Sequence, residues 1–462
     1  MNHQDKQSTG PVLDTAFGEG GIARLNVLET GVVHTVEQRA DGKIISCVAD
    51  NSRCGLNCLS DTGELDVSYG DSGYAVPEFD ASNFAWTFNQ VIRLPDEKDL
   101  LCPVSHGANA LGLARIAGSG KLDTTFGGNH NGFIVQYLPL ESQGKAGSGS
   151  KPVRPDPRVE QEAGVLHAAM SQHAAACISK HQADSSVIVC ATLQNLPDAY
   201  VLKYTVQGAL DASFGQGGVT TIKHASPVGL VALRNQLTLK DGKLLIWGSM
   251  QEPAEGETGF IARLNADGSV DTGYGAAGYL MFDPAADEDA TVRHIVNLRP
   301  DNDGGYWGFG NASPTGSTRY QGALFKLNAD ALPDSQFNGG RPLFCTISDS
   351  ATLLYDIEID SLNRLIIGGG FWQGPNNGAG FIARRLPDGS ADTSFTDSGW
   401  AKSGMGQQDR VTSLKLQEDG ALLVGGNVDI YRPVVARFTL PSRALPRPYS
   451  FALQAGREDV DK

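Results

Sequence analysis

The chain has 462 residues, with 37 Lys and Arg against 52 Asp and Glu, a formal net charge of −15 and a pI near 5.0. That acidic balance opposes sequence-independent binding to phosphate backbones and anionic lipid surfaces, so nucleic acid is not an expected partner. The 56 glycines suit a chain with many tight turns, and no stretch reaches the roughly 18 apolar residues that would span a bilayer.

Met1 to Gly10 is polar and lacks the charged start, apolar core and cleavage site of a signal peptide. The chain therefore reads as soluble and, by default, cytoplasmic, with an unconventional export route left open. A phrase then begins that returns along the whole sequence, clearest as Leu13-Asp14-Thr15-Ala16-Phe17-Gly18 and Leu210-Asp211-Ala212-Ser213-Phe214-Gly215. Its Asp falls at Asp14, Asp66, Asp123, Asp211, Asp271, Asp334 and Asp392, at intervals of 52 to 63 residues apart from one of 88. A repeat of that length is one supersecondary unit that cannot bury its apolar face alone, so the units must stack or close into a ring.

The last unit shows the internal plan. Val411 to Leu416 alternates apolar and polar, Glu418-Asp419-Gly420 breaks the strand, Ala421 to Gly426 is an apolar run ending in glycines, and Val434 to Phe438 follows. The pattern predicts a hairpin with a two-residue Asp-Gly turn, then a third strand. Asp41-Gly42-Lys43 and Asp241-Gly242-Lys243 repeat the turn, and Phe260-Ile261-Ala262-Arg263-Leu264 and Phe381-Ile382-Ala383-Arg384 repeat the third strand. A short fourth strand, such as Gly218 to Ile222, follows the phrase. Within the phrase, Asp and the next Thr or Ser should bond nearby backbone N–H groups, and the aromatic (Phe17, Tyr69, Phe126, Phe214, Tyr274, Phe337, Phe395) should pack on a neighbouring unit. The expected fold is all-β: a seven-bladed β-propeller of four-stranded antiparallel blades over residues 11–440, with Gly21 to Asn26 pairing Val434 to Phe438 to close the ring.

The phrase, the Asp-Gly-Lys hairpin and the Ala-Arg-Leu strand with its Asp-Gly-Ser turn resemble the delta-60 repeat family of bacterial β-propellers. The resemblance covers residues 11 to 440, with Pro333 in the Leu position of the sixth copy and Thr396 in the Gly position of the seventh. It implies a propeller and brings no reaction and no catalytic residues with it.

Two stretches leave the pattern. Residues 140–163 swell one interval with Gly, Ser and Pro and read as a flexible insertion on which a partner site is conceivable, and 441–462 reads as a disordered tail. The seven cysteines do not form a disulfide framework, and Cys47 and Cys54, although placed to face each other across a hairpin, read as free buried thiols.

No catalytic motif, phosphate loop or paired Cys-x-x-Cys spacing is present, so no catalytic residue, cofactor or metal is expected. Arg299 to Gly304 resembles a calcium loop but lacks the distal Glu and sits at a hairpin turn. Aligning the first strand of each unit on its apolar pair places His34, Gln90, Cys177, Asn235, His294, Tyr355 and Thr412 around one mouth of the central channel. Glu37, Arg93, Lys180, Thr238, Asn297, Glu358 and Lys415 then line the channel. Channel water alone accounts for polar residues there, while convergent strands also make binding pockets. His34, Gln90, Asn235, His294, Tyr355 and Thr412 are therefore the candidate ligand-binding set. The expected function is a non-catalytic binding or assembly scaffold for a protein or glycan, built as a monomeric ring, and the alternative is a lactonase-like hydrolase or lyase at the mouth.

Overall fold

The computed structural model describes residues 10–441, apart from 29, 51–53, 78–84, 94–97, 107–109, 129, 139–174, 181–185, 194–195, 227–228, 253–255, 283–289, 315–318, 373–377 and 430. Over 85–93, 99–106, 175–180 and at 252 it describes the backbone alone. The 140–163 insertion and the tail beyond Pro441 lie outside the described residues.

Two short strands, β1 (Val12–Leu13) and β2 (Ile22–Arg24), precede a series of antiparallel meanders. The first is β3 (Val32–Gln38), β4 (Ile44–Ala49), β5 (Cys54–Leu59) and β6 (Tyr74–Ala75), and the second β7 (Ala85–Arg93), β8 (Asp99–His106), β9 (Ala110–Ile116) and β10 (Phe133–Tyr137). Next come β11 (Ala175–Lys180), β12 (Val187–Thr192), β13 (Ala199–Tyr204) and β14 (Val219–Ile222), then β15 (Leu230–Thr238), β16 (Leu244–Glu252), β17 (Gly256–Leu264) and β18 (Tyr279–Met281). They are followed by β19 (Ala290–Pro300), β20 (Tyr306–Pro314), β21 (Gln321–Leu327) and β22 (Leu343–Cys345), then β23 (Ala351–Ile359), β24 (Leu365–Trp372), β25 (Gly378–Arg385) and β26 (Trp400–Lys402). The last strands are β27 (Arg410–Leu416), β28 (Leu422–Val428) and β29 (Arg432–Thr439).

Each meander is a four-stranded sheet in chain order, and β27, β28 and β29 take β1 and β2 onto β29 as a five-stranded sheet. Ile22 faces Ala436 and Arg24 faces Val434, while Leu13 faces Phe438. The first strands of the sheets touch in cyclic order, β3 to β7, β11, β15, β19, β23 and β27, and β27 touches β3. The chain is thus an all-β propeller of antiparallel sheets.

Middle strands are apolar on both faces because both faces are covered. In β16, Leu244 and Ile246 join Ile188, Val201 and Phe260 on one side, while Leu245 and Trp247 join Ile295, Ala323 and Phe325 on the other. The same arrangement closes the seam, where Leu423 and Val435 pack with Val33, Val36, Ile44 and Val48.

The phrase is a clip between sheets. Its Asp accepts the backbone N–H two residues on, as at Ser68, Thr125, Ser213 and Ser394, 2.9–3.0 Å away. The other carboxylate oxygen takes the third-strand base: Arg115 on Asp123 at 2.8 Å, and Arg263 on Asp271 and Arg384 on Asp392 at 2.7 Å. Each of those guanidinium groups also lies over the phrase aromatic, 4.6–4.9 Å from the ring centre of Phe126, Tyr274 or Phe395. It then reaches a carbonyl further along the chain, at Val206, Asp330 or Pro441. The phrase glycine donates its N–H to the turn ahead, Gly18 to Thr62, Gly70 to Ser119 and Gly215 to Asp267, at 2.6–2.7 Å.

The hairpin turn differs from the two-residue form expected. Gly420 N bonds Gln417 O and Gln417 N bonds Ala421 O, so Glu418-Asp419-Gly420 is a three-residue loop, with Gly420 at φ +82. Asp419 accepts from Ala421 N, as Asp41 does from Lys43 and Asp241 from Lys243. The Asp side chain stabilises a type I turn and the Gly supplies the left-handed residue after it, so Asp-Gly serves this loop as well as the shorter one.

Candidate functional site

The mouth is shaped by β-bulges. Pairing slips between Val33 and Thr35 in β3, Leu233 and Asn235 in β15, Val292 and His294 in β19, Leu354 and Asp356 in β23, and Val411 and Ser413 in β27. In β7 the slip spans Phe88 to Val91. A bulge leaves an extra residue unpaired and turns its side chain away from the regular alternation. The extra residues are His34, Arg234, Arg293, Tyr355 and Thr412, and in β7 the backbone of Asn89 and Gln90 falls at the slip. Of the residues that the sequence alignment assigns to the mouth, His34, Gln90, Tyr355 and Thr412 fall at a bulge, and Asn235 and His294 lie one residue after one.

His34 is partly open, and the surrounding atoms push its imidazole down to about 4, so it is neutral at pH 7. The side chains of Gln90, Arg93, Cys177 and Lys180 lie outside the described residues. Asn235 donates to Asn297 Oδ1 at 3.3 Å and accepts from Gln236 N at 2.9 Å, which ties it to the channel wall. The Thr412 hydroxyl donates to Val33 O at 2.5 Å, beside His34. Tyr355 is partly open, with its phenol pushed up to about 12 by burial against a smaller opposing pull from Arg410. His294 is buried at 4 % exposure, its Nδ1 3.6 Å from Glu257 Oε2. His34 and His294 stand on β3 and β19, separated in the ring by β23 and β27 on the shorter side.

The lining row carries charge, as its composition suggests. Lys415 pairs with Glu37 at 2.9 Å, and Arg299 lies 2.9 Å from Asp356 and 3.9 Å from Glu358. Asp356 also accepts from Leu414 N at 2.9 Å, which binds β23 to β27. Burial raises the Glu358 carboxyl to about 7, with Arg299 pulling it down and Asp356 pushing it up.

Sequence reasoning missed a partly buried cluster beside His294. Ser249 Oγ donates to Glu257 Oε1 at 2.5 Å, and Arg293 donates to Ser313 Oγ at 2.7 Å and to Glu257 O at 3.1 Å. Burial opposes ionisation of Glu257, but His294, Ser249 and Arg234 together hold it down at about 2. Burial holds His294 below its ordinary value, against an upward pull from Glu257. Ser249 bonds the carboxylate and not the imidazole, so these residues do not form a nucleophile-to-base relay. Allowing a one-residue slip in the alignment would have exposed Arg234 and Arg293. Glu257 carries no signal in the repeat. Among the described residues, no group of three His, Cys, Asp or Glu is placed to hold a metal ion. Cys47, Cys54 and Cys58 are free and buried.

A family model described as "Domain of unknown function (DUF5122) beta-propeller" matches residues 239–274 and 363–395. A search of curated proteins finds no match. Among solved structures, the chain is similar to selenomethionine-substituted virginiamycin B lyase from Staphylococcus aureus, at 10% identity over 91% of this chain and 98% of that one, with a TM-score of 0.48. It is also similar to YCF48 bound to D1 peptide (10% identity, 92% and 98% covered, TM-score 0.43). A protein of unknown function from Dyadobacter fermentans is a further likeness (11% identity, 94% and 99% covered, TM-score 0.44). None of these likenesses bears on activity.

Proposed function

We propose that this chain is a seven-bladed propeller of the delta-60 repeat kind, a single domain over residues 11–440, acting as a non-catalytic scaffold that recognises a protein or glycan. Its five-stranded sheet counts as the seventh blade. The ring is monomeric, bacterial and cytoplasmic, with no nucleic acid partner, and the mouth around His34, Gln90, Asn235, His294, Tyr355 and Thr412 is its recognition site.

The observation that supports this reading is where the reactive groups are spent. The phrase Asp accepts from the third-strand Arg, which also donates to a carbonyl further along the chain, and Asn235, Thr412 and Asp356 are tied to backbone or neighbouring side chains. His34 stays partly open at the mouth, and the Tyr355 hydroxyl is buried without a hydrogen-bond partner among the described residues, which suits recognition better than turnover. The alternative, a hydrolase or lyase, rests on His294 against Glu257, a pair whose imidazole is buried and whose carboxylate is tied to Ser249.

The test immobilises the wild-type chain, a His34→Ala/Tyr355→Phe variant and a chain lacking 140–163, and identifies what each retains from a lysate of the source organism. A protein or glycan held by the wild type and lost from either altered form is expected. Equal retention by all three, or none by any, removes the support for a mouth or insertion site.

A further inference from the structure

In this acidic chain, several buried or partly buried basic side chains are matched with carboxylates: Arg115 with Asp123, Arg263 with Asp271, Arg299 with Asp356, Arg384 with Asp392 and Lys415 with Glu37. Two partly buried arginines on the first strands differ from these. Arg293, the bulge residue of β19, makes its bonds to Ser313 Oγ and to the carbonyl of Glu257, and the Glu257 carboxylate is turned to Ser249 and His294. Arg410, the first residue of β27, lies over the ring of Trp372, 5.3 Å from its centre, beside Tyr355. Neither has a carboxylate partner among the described residues.

Both guanidinium groups are held in place by neutral contacts, with N–H donors left over. A guanidinium offers five donors in a fixed fork, and Arg293 commits two of them. A fixed, half-desolvated cation without a counter-charge is stabilised by an incoming anion, and a carboxylate matches the fork bidentately. The two arginines stand on β19 and β27, the first strands on either side of β23 and its Tyr355. Arg410 lies over one face of the Trp372 ring, which takes that face from a sugar and favours an acidic peptide over an acidic glycan.

We propose that Arg293 and Arg410 form a carboxylate-binding site that takes an acidic, Asp- or Glu-rich peptide segment at the channel mouth. This rests on the reading of the mouth as a recognition site and names the chemistry it recognises.

The test is fluorescence anisotropy of a labelled peptide of alternating Glu and Ser at low ionic strength, with an all-Ser peptide and an oligogalacturonate as the other arms. Binding of the Glu peptide that weakens with salt and falls at least tenfold in Arg293→Gln and in Arg410→Gln is expected, with little or no binding of the all-Ser peptide. Arg293→Lys keeps the charge and loses the fork, and should lie between. Circular dichroism and melting curves separate loss of binding from loss of fold. Binding of the oligogalacturonate alone overturns the peptide assignment, and binding of none of the probes, or binding indifferent to both arginines, overturns the site. If a lysate partner lost on mouth substitution is not displaced by the Glu peptide, the scaffold reading stands and the acidic class fails.

Discussion

Arg384 has its side chain 1 % exposed, with its Nε on Asp392, its ring partner Phe395 beneath and Pro441 O at the far end. Replacing it with Met keeps the stem and strands the Asp392 carboxylate, which is itself buried, leaving Arg364 3.7 Å away as its remaining cation. Breaking a buried pair from one side typically destabilises by about 3–5 kcal/mol, so Arg384→Met should shift the urea midpoint markedly, whereas the exposed Arg24→Met should not. Glu358 gives a residue-scale test in pH. Its carboxyl is raised in the fold from an ordinary 4.5 to about 7, chiefly by burial and against the pull of Arg299, with Asp356, Lys415 and Glu37 also facing it. The folded state therefore holds this proton more tightly than the unfolded one. Its contribution is greatest below pH 4.5 and is lost as pH rises toward 7. Glu358→Gln should flatten that part of the stability profile and be more stable than wild type at pH 8. An unchanged slope between pH 4.5 and 7 would show that Glu358 titrates normally. His34 has the opposite sign: its pKa is lowered from 6.5 to about 4, so stability falls as pH drops through that window, and the Glu358 effect must be read against the wild type.

At the scale of the element, the phrase and the turn around it carry a conformation that only certain residues accept. Gly215 has φ +54, a Cβ there would lie 2.3 Å from Val219 O, and its N–H makes the 2.6 Å bond to Asp267 O in the following turn. Gly215→Ala should therefore lower the melting temperature by several degrees, about 1–3 kcal/mol, without abolishing the β signal in circular dichroism. The strand plan, the phrase contacts and the seam partners were legible because they repeat: period-two alternation, Asp-x-Ser and Ala-Arg-Leu each recur with the same neighbours. The site was less legible, and the bulges explain why. A bulge adds one residue without leaving a mark on hydrophobic alternation, so an alignment on the apolar pair meets the bulge itself at His34, Tyr355 and Thr412 and the residue after it at Asn235 and His294. The Asp-Gly turn was misread for a related reason, since a three-residue loop with Gly in the left-handed position uses the same two letters as a two-residue one.

The whole molecule depends on a seam drawn from both ends of the described chain. β2 supplies an outer strand to β29, and Leu25 and Leu28 join the cluster that packs Leu423 and Val435 against Val33 and Ile44. Deleting residues 1–26 removes β1 and β2, uncovers the edge of β29 and thins that cluster. The truncated chain should melt at clearly lower temperature and with less cooperativity, and an unchanged transition would sink the closure model. No helix among the described residues is long and apolar enough to cross a membrane.

The same pairing sets an order of events. β2 leaves the ribosome about four hundred residues before β29 exists to receive it, so through most of synthesis it waits without its partner. A long wait for a strand edge invites pairing with the wrong chain, and β2 is only three residues long, too short to template much of it. Closure is then a late event that joins distant segments, a slow kind of contact to make. The last-formed blade is thereby also the one that locks the others into a circle.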